Sequence, residues 1–141
     1  MQKPIFVSTT NGVKNVSLSS SIIYDDGFTL ALDPKCNAIC FEKGDDSLAL
    51  FERLKKVVKP TKGHSIILDN GSFIDPSVVA EIFISPKSSN LLITGTNGKL
   101  LYMFKTTDFS RLDFLLDELS KRMMVIGDGE PVTPIEWADF K

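Results

Sequence analysis

Apolar and polar residues alternate through much of the first forty positions, the period of strands that bury one face. Residues 28–32 carry the pattern most cleanly, with Phe28, Leu30 and Leu32 on one side and Thr29 and Ala31 on the other. Shorter strands are expected at 5–8, at 13–18 with Val13, Val16 and Leu18 as apolar members, at 22–24 and at 38–41. Turn chemistry separates them. Asn11-Gly12 reads as a type I′ hairpin turn, because both residue types tolerate positive φ. Asp25-Asp26-Gly27 marks a second turn, and Pro34 closes a strand because it cannot donate to a ladder.

At Asp45-Asp46-Ser47 the period changes. Leu48, Phe51, Leu54 and Val58 recur at helical spacing, with acidic residues at the start and Lys55 and Lys56 near the end. Pro60 and Gly63 stop the helix, and 59–63 reads as a linker. The same order then returns. A strand at 65–68, the hairpin signal Asp69-Asn70-Gly71 and a short strand at 72–74 lead to the breaker Asp75-Pro76. Residues 78–84 read as a strand or as a brief helical turn entering one, and 85–90 as a loop around Pro86. A hairpin follows, 91–94 and 100–105 around Gly95-Thr-Asn-Gly-Lys99. It feeds an amphipathic helix over 108–123 that buries Leu112, Leu115, Leu116 and Leu119 and is capped by Thr107 or Asp108.

This recurrence predicts an internal duplication, with chance similarity of two hairpins as its alternative. Asn11-Gly12 falls on Asn70-Gly71 at an offset of 59, and residues 28–41 fall on 91–104 at an offset of 63. The expected fold is α+β, a mainly antiparallel sheet built from two similar strand–hairpin–helix units, each with one long helix packed on the sheet. The units are 1–62 and 63–124, followed by a tail, 125–141. A lone unit of this size would bury little core, so the two should pack on each other. The tail carries Ile135, Trp137 and Phe140, which are costly to leave in water. It either folds back over the core or docks on a partner or a second copy, and folding back is favoured.

Composition narrows the function classes. A net charge of −2 gives no global attraction to nucleic acid or to an anionic membrane. No apolar run approaches the roughly 18 residues that span a bilayer, so no membrane partner is expected. The first residues lack an apolar leader core, and a cytoplasmic location is expected. Cys36 and Cys40 have two fewer ligands than a zinc site needs, and the one histidine, His64, stands alone in the linker. Gly95 to Lys99 lacks the spacing of a phosphate loop and precedes a strand. Asp25, Asp26, Asp45, Asp46 and Asp108 sit at turns and helix starts, where aspartate belongs for conformational reasons. Neither a metal nor a cofactor is expected, and without a visible nucleophile–base pair the chain reads as no enzyme.

Two surface features remain. Arg53, Lys55, Lys56, Lys59 and Lys62 gather around the end of the first helix, and Arg111, Lys121 and Arg122 lie on the second. If the units are equivalent, these cations form a patch that meets phosphate groups; otherwise they are solvated, dipole-complementary lysines and arginines. The leading expectation is a small non-enzymatic binding or regulatory protein acting through protein–protein contacts, by analogy a phage or bacterial accessory factor. Its partner would be another protein or a second copy of itself, met through the hairpin tip at Asn97 and the tail residues Ile135, Trp137 and Phe140. The alternative is a binder of nucleic acid or a small nucleotide through the basic helix ends.

Overall fold

Among residues 3–141, which the computed structural model describes, the chain forms ten strands and two α-helices, every strand pairing antiparallel. β1 (Phe6–Thr9) and β2 (Gly12–Asn15) make a separate two-stranded ribbon. β3 (Ser21–Asp25), β4 (Phe28–Leu32) and β5 (Ala38–Lys43) form a meander followed by α1 (Ser47–Val57). The hairpin of β6 (Ile66–Ile67) and β7 (Phe73–Ile74) joins the β3 side of that meander, giving a five-stranded sheet in the order β5-β4-β3-β7-β6. β8 (Val79–Ile84), β9 (Leu91–Gly95) and β10 (Leu100–Phe104) form a third sheet, followed by α2 (Leu112–Gly127). The α+β character is as expected. The strands divide among three sheets, however, and the helices are unequal, 11 residues against 16.

Alternation in β3 explains why there are two cores. Ile22 and Ile23 point to opposite faces of the same sheet and are both fully buried. Ile22, with Ala31, Cys40 and Phe73, packs under α1 against Leu50, Phe51 and Leu54, and Val7 and Val16 seal the ribbon end. Ile23, with Leu32 and Ile74, packs on the other side with Ile93, Leu101 and Phe104 and with Leu115 and Leu119 of α2. Each such side chain contributes about 1.5–3 kcal/mol by leaving water. β3 is thus the shared wall.

The buried face of α1 differs from the expected stripe. Leu48 is half exposed, and Leu50 is buried in its place. Ser47, Leu50, Phe51 and Leu54 form the i, i+3, i+4, i+7 stripe. Its rotation is set at the first turn, where the Ser47 hydroxyl donates to the Gly44 carbonyl and the Ser47 carbonyl accepts from the buried Thr29 hydroxyl. α2 begins at Leu112 and has no side-chain cap, rather than starting at 108 behind Thr107 or Asp108. The chain before it stays non-helical to seat Phe109 in the core, and the Ser110 amide donates to the Phe140 carbonyl at 2.9 Å. The helix also runs on through Val125 to Gly127.

The first turn is a correction as well. Thr9 pairs with Gly12, so Thr10-Asn11 forms the turn and only Gly12 has positive φ. The pair with two positive values, as a type I′ turn needs, is Asp26 (φ 44°) and Gly27 (φ 83°) between β3 and β4. Of the apolar residues expected inside near the ribbon, Val16 is buried, while Val13 and Leu18 are each 64% exposed. Val13 pairs with Ser8, on the face opposite buried Val7. The ribbon is tied to β5 by Glu42, whose carboxylate accepts from the Thr10 amide at 2.6 Å and the Thr10 hydroxyl at 2.8 Å. Those bonds, the amide's first, hold its carboxyl below the usual range.

Strand pairing also refines the comparison of the two meanders. In β4–β5, Ala31 pairs with Cys40 and Leu32 with Ala38, leaving Ile39 as the extra residue of a bulge. In β9–β10, Ile93 pairs with Tyr102 and Thr94 with Leu100, leaving Leu101 extra. Adding 62 to every residue of the first set gives the second. The offset between the hairpins is therefore 62 by pairing, where the letters suggest 63, and that one-residue difference decides which face each side chain takes.

Candidate functional site

A concave surface lies where the tail crosses the linker. After α2 the chain turns at Gly129 (φ 87°), and the Val132 amide donates to the Gly63 carbonyl at 2.8 Å. Gly63 is the one residue type that fits there. Its φ is 78°, and a Cβ at this position would lie 2.8 Å from Cβ of Pro131. Arg122 holds the tail from the other side: its Nε donates to the Thr133 carbonyl at 2.9 Å, and its guanidinium pairs with Glu118 at 2.5 Å. Beyond this crossing the chain enters the core, burying Ile135 and Phe140 and stacking Trp137 on Phe104 at 5.5 Å between ring centroids.

Between linker and tail the crossing leaves a cleft of about 590 Å³. Pro60, Ile66, Ile67, Val132, Pro134 and Ile135 make its walls mainly apolar, and Lys62 and Arg122 are the charged residues that line it. β6, which contributes Ile66 and Ile67, is one of the two edge strands of the five-stranded sheet. No periodicity in the local sequence announces this cleft. The faint signal is proline, with Pro60 in one wall and Pro131 and Pro134 in the other, positions that cannot complete a ladder.

The cations singled out above go to several places. Arg53 donates to the Ser8 carbonyl at 3.1 Å, and Lys59 donates to the Lys55 carbonyl at 2.7 Å near the end of α1. Lys55 lies over the Phe51 ring at 4.5 Å, and Lys56 is exposed. Arg111 sits over Phe114 at 4.2 Å. Arg111, Lys121 and Arg122 line a second groove, of about 610 Å³, together with Asp117, Glu118, Glu136 and Asp139. Arg122 of α2 and Lys62 of the linker both line the cleft. Asn97 lies at an exposed hairpin tip, its side-chain amide 3.4 Å from the Cys36 carbonyl.

A second polar cluster joins the two larger sheets. Asp25, at the end of β3, accepts from the Met103 amide of β10 at 3.0 Å. Beside it the Tyr102 hydroxyl donates to Asp69 at 2.8 Å, Lys141 reaches the other Asp69 oxygen at 3.4 Å, and Lys105 faces Asp26 at 3.5 Å. Burial pushes the Asp25 carboxyl up to about 6, with Asp26 and Asp69 adding repulsion and the Met103 amide and Lys105 opposing it. Burial, then the Asp69 charge, also raises the Tyr102 phenol.

A carboxyl raised on folding makes the fold bind the proton more tightly than the unfolded chain does. Its stabilising contribution is complete below pH 4 and is lost as pH rises through about 6. Solvent at this half-buried site screens the effect to about 1 kcal/mol. Asp25→Asn keeps an acceptor for the Met103 amide and removes the charge. The expected result is a Tm about 4 °C higher above pH 7, with a flatter dependence between pH 4 and 7. An unchanged slope in thermal melts across that range would show that Asp25 does not carry it.

The two cysteines are buried in different cores, Cys36 with α2 and Cys40 with α1. Burial pushes the Cys40 thiol up to about 11, the behaviour of a packing residue and not of a nucleophile. Among the described residues, no group of three or more His, Cys, Asp or Glu side chains is placed to hold a metal ion, and no helix is long and apolar enough to cross a membrane. No protein-family model, curated protein or solved structure matches the chain.

Proposed function

We propose that this chain is a small non-enzymatic binding protein that acts through protein–protein contacts in the cytoplasm. The observation that carries the reading is the cleft between linker and tail. It is concave, largely apolar and open beside a sheet edge, and its lining holds no Asp, Glu, His or Cys. An apolar concavity with a few polar groups is the general form of a binding site. The phosphate-ligand alternative is the weaker one. Arg111, Lys121 and Arg122 share their groove with four carboxylates, which would repel an anion.

In the same reading the chain is two copies of one hairpin–meander–helix unit, residues 1–62 and 63–124. The support is the bulge at equivalent places, Ile39 and Leu101, and the succession of a hairpin, a three-stranded meander and a helix in each half. The halves differ in where the hairpin goes: β1–β2 stands apart, while β6–β7 extends the first meander. That difference exposes β6 and creates the cleft, so function would have followed from the asymmetry of the two copies.

The test is a photo-crosslinking amino acid at Thr133, an exposed residue lining the cleft, with Ser120 on the exposed side of α2 as control. Expressed in the cells that produce the chain, the Thr133 variant should give a discrete protein adduct that the Ser120 variant lacks. A doubled mass would identify a second copy as the partner. No adduct at Thr133, or adducts to nucleic acid only, would overturn the proposal.

A further inference from the structure

We infer that the cleft receives an extended acidic segment of a partner protein, added as a strand alongside β6. The inference rests on the protein-binding reading above and names the partner's chemistry. β6 uses one edge for β7, and the other faces the cleft. The Leu68 amide donates to the Ser72 carbonyl at 2.8 Å, which makes Leu68 and Ser72 a hydrogen-bonded pair. Bonded and non-bonded pairs alternate in an antiparallel ladder. Ile66 and Ile74 are then the next bonded pair, and Ile67 between them turns its N–H and C=O away from β7. Ile67 lines the cleft, so a backbone donor and acceptor stand in its wall.

The tail makes no backbone bond to these groups. It meets the linker at Gly63 through the Val132 amide, and Pro131 and Pro134 on either side have no N–H to extend a ladder. An incoming strand can, and edge addition of this kind takes its affinity from main-chain bonds and its specificity from alternate side chains. Aliphatic side chains on one face of that strand would meet Ile66, Val132 and Ile135.

Charge chooses the other face. The cleft is lined by Lys62 and Arg122 and by no Asp or Glu. Arg122 is paired with Glu118, which leaves exposed Lys62 to meet a carboxylate. The ligand class is an extended peptide in which Asp or Glu alternates with aliphatic residues.

The experiment selects random 12-residue peptides displayed on phage against the full-length chain. Enriched peptides are synthesised and their binding is measured by fluorescence anisotropy. The expected peptides alternate Asp or Glu with Val, Ile or Leu. N-methylation at every second amide should weaken binding at least tenfold, while methylation of the amides between should have little effect. Lys62→Glu, an exposed change that leaves the fold intact, should weaken binding by about tenfold.

Enriched peptides that are neutral or basic, or indifferent to Lys62→Glu, would overturn the acidic partner. Insensitivity to N-methylation would overturn strand addition. Acidic peptides whose amide shifts map to the β1–β2 ribbon and not to residues 63–67 would overturn the cleft while leaving a protein-binding function standing. Absence of any enriched peptide together with absence of an adduct at Thr133 would remove both.

Discussion

Ending the chain after Pro134 should remove most of its stability. The deletion takes away Ile135 and Phe140, both more than nine-tenths buried, and the partly buried Trp137. Each apolar side chain of that size contributes about 1.5–3 kcal/mol on leaving water, so the loss is about 5 kcal/mol or more. The total stability of a domain is only about 5–15 kcal/mol. Phe104 and Phe109, which lie against the indole at 5.5 and 6.3 Å, would be left facing solvent. The Ser110 amide would lose the Phe140 carbonyl, and Asp69 would lose Lys141. The expected result is a chain that keeps some far-ultraviolet signal, loses its near-ultraviolet signal and binds a hydrophobic dye. A truncated chain whose urea midpoint stays within experimental error of the intact one would mean that the tail is an attachment and not part of the core.

The tail also marks the boundary of what the letters reveal. Its three large apolar residues identify it as a segment that must be covered, but not where it goes. Its seat is made by Phe104 and Phe109, which lie about thirty residues away in sequence. Strands with clean alternation, above all Phe28–Leu32, were legible because the period of two is enforced locally by the pleat. The Gly98 hairpin was legible for the same reason, since a positive φ must be supplied by the residue itself. Helix rotation was not legible for α1. Leu48 and Leu50 are equally apolar, and the choice between them falls to the contacts of Ser47 with Gly44 and Thr29. The start of α2 was hidden for a related reason, because Phe109 and Ser110 serve tertiary contacts that hold them out of the helix. The cleft is a meeting of residues 60–67 with residues 131–135, and no periodicity within either segment records it. Asp25 reads as a turn aspartate until β10 is placed beside it.

Leu54→Ala should cost about 2–5 kcal/mol, and the informative point is where the loss is seen. Leu54 lies on the inner face of α1, fully buried in the core it shares with Ile22 and Phe73. Removing its branched end leaves a cavity that a close-packed interior fills only in part. The single tryptophan, Trp137, lies in the other core, against Phe104 and Phe109. Its fluorescence therefore reports on a region that the substitution does not touch. The cores are opposite faces of the five-stranded sheet, and β3 sends Ile22 into one and Ile23 into the other with no residue between them. A strand cannot leave one face and keep its place on the other, so the two cores should melt together. The expected urea titration shows Trp137 fluorescence and far-ultraviolet circular dichroism moving to the same lower midpoint in the variant. If the Trp137 midpoint stayed at its original value while the helical signal moved, the two cores would be separate folding units, and β3 would be a contact between them instead of a shared wall.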